Sequence, residues 1–93
     1  MSRAIWKFPI KITDMQHIEV PGALTPLHVA FQGGQLCLWG AVWPGYSQVR
    51  VPVYIIGTGH PYDVEEMEHV GTVQDGLFVW HVFVGPRENV TRP

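Results

Sequence analysis

Glycine and proline interrupt this sequence so often that no segment is long enough for a regular helix of several turns. Eight prolines and ten glycines are spread over 93 residues, and Val, Ile, Trp, Phe and Tyr are prominent among the apolar residues. Proline and glycine disfavour helix interiors, whereas β-branched and aromatic residues favour strands. We therefore predict an all-β fold, a small antiparallel sandwich or partly open barrel. Its seven strands are expected over residues 4–8, 15–20, 24–32, 35–43, 48–56, 67–74 and 77–84.

The length of the chain sets the domain organisation. A chain of 93 residues has room for one hydrophobic core. We predict a single β domain over residues 1–84 and a loose C-terminal tail over residues 85–93. The only helical element expected is one short turn over residues 61–67, where Asp63 is a suitable N-cap with Glu66 three positions later.

Two turn signals predict a three-stranded meander over residues 24–56. The two glycines at 33–34 form a hairpin signal, and a four-residue loop at 44–47 predicts a second hairpin. Both registers place the same apolar residues on one face, and a slip by one residue would scramble that face. We predict that this face is buried in the core. Its members are Leu27, Val29, Phe31, Leu36, Leu38, Val42, Val49, Val51, Val53 and Ile55.

The opposite face of the predicted meander is rich in aromatic rings. It carries Trp39, Trp43 and Tyr54 together with Arg50. Aromatic residues and arginine are the usual anchors of protein interfaces, and flat rings also stack on nucleobases. This face is therefore predicted to bind a partner or a ligand, unless the N-terminal strands fold over it as a second core layer.

A third turn signal, Asp75-Gly76, predicts a hairpin with two largely apolar faces. Its register pairs Val70 with His81 and places His69 and His81 on opposite faces, so that these two imidazoles do not share an ion. The sequence has no other histidine or cysteine pattern with the three or four converging ligands of a zinc site. We predict neither a metal site nor a cofactor.

The segment 54–61, with the sequence YIIGTGHP, is the strongest candidate for a small-molecule site. An apolar strand runs into a loop formed by Gly57, Thr58, Gly59 and His60. Glycine lets a ligand or another backbone approach closely, and consecutive amides can hold a phosphate. The lysine and the following helix of a P-loop are missing. An ordinary polar loop beside an acidic turn is the alternative interpretation of this segment.

Charge and composition exclude several classes of partner. The net charge is −2, and only six Lys and Arg residues are present, so duplex nucleic acid is disfavoured. No segment reaches the roughly 20 apolar residues of a membrane helix, and no membrane partner is expected. The charged fraction of 15% is low, which indicates a surface that faces a partner, with a homo-oligomer as the first expectation. We expect a soluble, cytoplasmic protein.

Five short motifs resemble an uncharacterised family of small phage and bacterial proteins. In chain order they are IWKFP at 5–9, CLW at 37–39, IGTGHP at 56–61, GTVQ at 71–74 and VWHVF at 79–83. The resemblance spans residues 5–83 and implies no activity and no catalytic residue. It implies a phage or mobile-element origin, and by analogy a protein that counters a host enzyme or host defence.

Three functions are consistent with these features. The leading hypothesis is a non-catalytic binding protein that engages a host protein, or sequesters a small nucleotide-like ligand, in the host cytoplasm. It would use Trp39, Trp43, Arg50 and Tyr54 together with the loop 57–60. The second is a small hydrolase acting on a phosphorylated or nucleotide substrate. There His60 would be the acid/base, with Thr58 and the glycine amides holding the substrate. The third is a minor structural phage protein.

Overall fold

The computed structural model of the chain consists of two antiparallel sheets, and it describes residues 2–63 and 66–89. The strands are β1 (Ala4–Pro9), β2 (Met15–Pro21), β3 (Thr25–Gln32), β4 (Gln35–Val42), β5 (Gln48–Gly57), β6 (Glu68–Asp75), β7 (Phe78–Val84) and β8 (Glu88–Asn89). The first sheet has the order β1-β4-β3. The second has the order β2-β5-β7-β6, and β8 also pairs with β5. The all-β, sandwich-like prediction is confirmed, and all seven predicted strands are present.

The core lies between the two sheets. Its buried side chains are Ile10, Val20, Val29, Leu36, Leu38, Val42, Val49, Val51, Val53, Ile55, Val73, Val82 and Val84. The layers approach closely where β6 faces β3, since a Cβ atom on Gly71 would lie 2.8 Å from Val29 Cγ1. Nine residues of the predicted apolar face are buried in this core or, in the case of Phe31, packed against it.

Leu27 is the exception in the predicted core face. Its side chain is 51% exposed. The register of β3 with β4 shifts between Pro26 and His28, so that Leu27 is the extra residue of a β-bulge. A bulge breaks the alternation of inward and outward side chains, and the strict alternation used for the prediction was therefore wrong at this position.

The hairpin at Gly33-Gly34 is confirmed in register, with Gln32 opposite Gln35. Both glycines have positive φ, 59° and 82°. Two consecutive positive φ values are the requirement of a type I′ turn, and glycine meets it without steric cost.

The prediction of a second hairpin in the meander, between β4 and β5, is wrong. Strand β4 pairs with β1 and β3, whereas β5 pairs with β2, so the chain crosses from one sheet to the other after Val42. The crossing is held by two backbone hydrogen bonds: Trp43 N donates to Pro21 O at 3.0 Å, and Gly22 N donates to Ser47 O at 2.9 Å. Inward- and outward-facing side chains alternate along a strand in the same way whichever sheet the strand joins. The apolar pattern therefore could not reveal the change of sheet.

The hairpin between β6 and β7 turns one residue later than predicted. Asp75 pairs with Phe78, and the turn consists of Gly76, with φ of 60°, and Leu77. Glycine at the first central position is typical of a type II′ turn. The change moves the register by two residues, which preserves the faces. A second irregularity between His69 and Gly71 does change them.

Two further predictions concern the ends of the described ranges. Within the predicted loose tail, residues 88–89 form β8 on β5, and Arg87 Nη1 donates a hydrogen bond to Gly22 O at 2.5 Å. The predicted helical turn includes residues 64–65, which lie outside the described residues, and residues 61–63 before them have no regular structure. In residues 2–63 and 66–89, no helix is long and apolar enough to cross a membrane.

Candidate functional site

An open cleft of about 450 Å³ lies where β5 ends and the outer face of the β6–β7 hairpin begins. We call it the relay cleft. Its lining residues are Ile56, Gly57, Thr58, Gly59, His60, Tyr62, His69, Thr72, His81 and Phe83. All four residues of the glycine-containing loop singled out from the sequence thus line one cleft.

The loop at the rim of the cleft is a tight turn. His60 N donates a hydrogen bond to Gly57 O at 3.1 Å, and Gly59 has a φ of 90° at the third position of the turn. This geometry is that of a type II turn, which needs glycine at that position. Gly57 leaves room for the next imidazole, since a Cβ atom there would lie 3.3 Å from His60 Nδ1. The glycines therefore fix where Thr58 and His60 stand.

Four side chains form a continuous hydrogen-bonded chain along the cleft, which we call the relay. Thr58 Oγ1 lies 2.7 Å from His81 Nε2, and His81 Nδ1 lies 3.0 Å from Thr72 Oγ1. Thr72 Oγ1 in turn lies 3.2 Å from His69 Nε2. The relay joins the loop after β5 to both strands of the β6–β7 hairpin.

The strand register brings the relay together. Thr72 and His81 are directly opposite each other on β6 and β7. His69 joins them because the irregularity between His69 and Gly71 turns its side chain to the same face, where its ring centroid lies 6.5 Å from that of His81. The prediction that His69 and His81 occupy opposite faces is wrong for this reason.

The relay can present either hydrogen-bonding character to a ligand. A threonine hydroxyl donates one proton and accepts others, and a neutral imidazole has one donor and one acceptor nitrogen. If the protons all point from Thr58 towards His69, then Thr58 Oγ1 accepts hydrogen bonds from a ligand. If they all point the other way, Thr58 donates. The same four groups therefore suit ligands with a donor or an acceptor at this point.

One wall of the relay cleft is aromatic. The Phe83 ring is 8% exposed and lies between two other rings, with centroid distances of 5.1 Å to Tyr62 and 5.1 Å to His69. Such separations are normal for interacting aromatic rings. The wall offers flat, apolar surface beside the polar relay.

No formal charge lines the relay cleft among the described residues. Its described lining residues include three histidines but no Lys, Arg, Asp or Glu. Within residues 2–63 and 66–89, no group of three or more His, Cys, Asp or Glu side chains is placed to hold a metal ion. A neighbouring cavity of about 500 Å³ shares His60 and Tyr62 with the cleft and adds the carboxylates of Asp14 and Asp63.

The predicted aromatic face is not assembled. Trp39 is on β4 and packs against His28 with ring centroids 5.9 Å apart, whereas Arg50 and Tyr54 are on β5 in the other sheet. Tyr54 alone among them lies near the candidate site, since it lines the neighbouring cavity. The predicted face depended on pairing β4 with β5, and that pairing is absent from the sheets described.

The other two members of that face have local partners. Arg50 Nη2 lies 2.9 Å from Nδ1 of His17, and the Nε2 atom of the same imidazole lies 3.3 Å from Glu88 Oε1. The centroid of the Trp43 ring lies 6.0 Å from that of Tyr46, and the guanidinium carbon of Arg3 lies 4.7 Å from the centroid of the Trp43 ring. These contacts hold the sheet corner and β8 in place.

Sequence reasoning missed five residues of the cleft: Tyr62, His69, Thr72, His81 and Phe83. A signal for part of this set was present. Gly71 interrupts an otherwise regular strand, and an isolated glycine within a strand often marks a bulge. A bulge at this point turns His69 towards Thr72 and His81. Nothing in the local sequence shows that the end of β5 lies beside them.

The whole chain matches one known family. The family model described as a domain of unknown function, DUF7352, matches residues 1–93, and the chain belongs to this family. No curated protein matches the chain. No solved structure matches it either.

Proposed function

We propose that this DUF7352 protein binds a small nucleotide-like ligand in the relay cleft. The observation that carries the proposal is the convergence of the Gly57–His60 turn, the relay and the aromatic wall on one open cleft of about 450 Å³. Ligand sites are typically concave and combine apolar walls with a few well-placed polar groups.

The chemistry of the cleft favours the base and sugar of such a ligand as the recognised part. Among the residues that the structure describes, no Lys or Arg lines the cleft, and the partners it offers a phosphate are imidazoles, hydroxyls and loop amides. A nucleobase, in contrast, has a flat face for the aromatic wall and edge groups that donate or accept hydrogen bonds. The two proton directions of the relay match either kind of edge group.

A small ligand is a better proposal than a host protein because of the arrangement of the aromatic residues. The protein-binding hypothesis relied on Trp39, Trp43, Arg50 and Tyr54 forming one surface, and these side chains are divided between two sheets and a connecting segment. On the resemblance of its motifs to phage proteins, we further propose that the protein is phage-encoded and acts in the host cytoplasm. Sequestering the ligand would counter a host function.

Nuclear magnetic resonance of the histidine rings tests the binding site. The chain has five histidines, of which His60, His69 and His81 line the cleft, while His17 and His28 lie elsewhere. On titration with adenosine, guanosine, cytidine and uridine and with their monophosphates, at least one compound should shift the ring nitrogens of His69 and His81. The mechanism is direct contact with the relay or redirection of its protons.

The same spectrum contains its own control. His17 and His28 should keep their ring shifts, because His17 is bonded to Arg50 and Glu88 and His28 packs on Trp39. Shifts at His17 and His28 without shifts at His69 and His81 would place binding elsewhere. A complete lack of response to the whole panel would remove the nucleotide-like ligand from the proposal.

A further inference from the structure

We propose that Thr58 is a nucleophile activated by His81. The Thr58 hydroxyl takes up the acyl group of a small ester bound in the relay cleft. The inference rests on the proposed function in one respect only, namely that a small molecule enters this cleft. It differs from the hydrolase expected from the sequence, because there His60 was the acid/base. In the structure the imidazole bonded to Thr58 is that of His81.

The geometry at Thr58 is that of an activated hydroxyl. A nucleophile and its base are recognised by a separation of about 2.6–3.2 Å and by a third group that orients the base. Thr58 Oγ1 is 2.7 Å from His81 Nε2, and Thr72 Oγ1 holds the other ring nitrogen at 3.0 Å. Thr58 is also exposed at the rim of the cleft, so that its hydroxyl can meet a ligand.

One of the two proton directions of the relay gives His81 the tautomer that a base needs. When Thr72 donates its proton to His69 Nε2, its oxygen is left to accept a hydrogen bond from Nδ1–H of His81. That tautomer leaves Nε2 of His81 unprotonated and facing the Thr58 hydroxyl. Thr72 thus acts as a positioning residue, in the place that a carboxylate occupies in serine hydrolase triads.

The step balances without an oxidant or a metal ion. Thr58 Oγ1 forms a bond to the carbonyl carbon of the ester while its proton passes to His81 Nε2. The bond from that carbon to the leaving oxygen then breaks, and His81 returns the proton to the leaving group. The products are an ester of Thr58 and a free alcohol or phenol.

The lining of the cleft indicates the class of ester. With no Lys, Arg, Asp or Glu among the described lining residues, the cleft suits an uncharged ester better than an acyl phosphate. The aromatic wall at Phe83 and Tyr62 offers a surface for an apolar or aromatic part of that ester. An aryl ester such as p-nitrophenyl acetate has both properties and is a suitable probe.

The test combines p-nitrophenolate release with mass spectrometry of the whole protein and of its peptides. The native chain should release p-nitrophenolate in a burst and carry one acetyl group, located on Thr58. Thr58→Val should carry none at this position. His81→Gln, or His81→Asn if the first variant does not fold, should be acetylated at least about 100-fold more slowly than the native chain. This is the usual scale of base catalysis.

Thr72 needs a readout that loss of packing would not change. The burst rate of the native chain, measured over a range of pH, gives the reference profile. Thr72→Val should displace that profile and lower its highest rate, whereas Thr72→Ser keeps the hydroxyl and should restore both. Equal profiles for the Val and Ser variants would remove Thr72 from the positioning role.

Two matched variants outside the cleft serve as controls. Thr25→Val and His28→Gln change an exposed threonine and an exposed histidine on β3, and both should react like the native chain. The proposal is overturned if Thr58→Val is acetylated as fast as the native chain, or if the acetyl group lies only on lysines. In either case the response of the histidine rings to nucleosides still decides separately whether the cleft binds a ligand.

Discussion

Single residues decide which side chains reach the relay. Between His69 and Gly71 the register of β6 shifts, and this shift puts His69 on the face of Thr72 and His81. The same kind of irregularity in β3 sends Leu27 outwards. In both strands strict alternation predicts the wrong face for the residue at the bulge and the right face for the residues on one side of it.

A pair of leucine variants tests the assignment of faces in β3 and β4. Leu38 is 0% exposed and Leu27 is 51% exposed, although the sequence pattern placed both in the core. Leu38→Ala should lower the free energy of unfolding by about 2–5 kcal/mol because it leaves a cavity. Leu27→Ala should change it by no more than about 0.5 kcal/mol, as surface substitutions usually do. Urea denaturation of the two variants and the native chain gives both values, and similar losses would contradict the bulge.

At the scale of elements, the turns were predictable to different degrees. Only one two-residue hairpin turn has positive φ at both central positions, and Gly33-Gly34 occupies both of them. The position of this turn was therefore predicted correctly from the sequence. The Asp75-Gly76-Leu77 segment allows two neighbouring turns, with either Asp75-Gly76 or Gly76-Leu77 at the centre. The structure uses the second. Because the two registers differ by two residues, the facing pair Thr72 and His81 stays on one face in both.

The corner where the chain changes sheets offers a test at this scale. Gly22 has a φ of 75°, and a Cβ atom there would lie 2.8 Å from Trp43 Cβ. Gly45 has a similar φ of 92°, but a Cβ atom there would meet nothing within 4 Å. Alanine at either position bears the cost of positive φ, and only Gly22→Ala adds a steric clash.

Gly22→Ala should therefore destabilise the protein more than Gly45→Ala, by about 1–3 kcal/mol, the usual cost of overpacking. Thermal or urea unfolding of the two single variants measures the difference directly. Equal losses of stability would show that the contact between Gly22 and Trp43 does not hold this corner together.

For the molecule as a whole, the sequence predicted which residues form the core better than it predicted which strands pair. Val53 and Leu38 were both placed in the core, and both are completely buried. Their strands, however, belong to opposite sheets. Period-two alternation reports which side of a strand is buried and not which sheet it joins. The candidate site depends on that connectivity, so its loop was predictable from local sequence while the partners of Thr58 were not.

Native mass spectrometry of the untreated protein purified from cells is the decisive test of whether the relay cleft holds a small ligand. We predict a chain, or a homo-oligomer of it, that carries the mass of a bound nucleotide-like compound. His81→Gln should lose this mass, since it removes the middle of the relay, and His28→Gln should keep it. A native protein without bound mass, or equal bound mass on the His81→Gln variant, would show that the relay does not hold such a ligand.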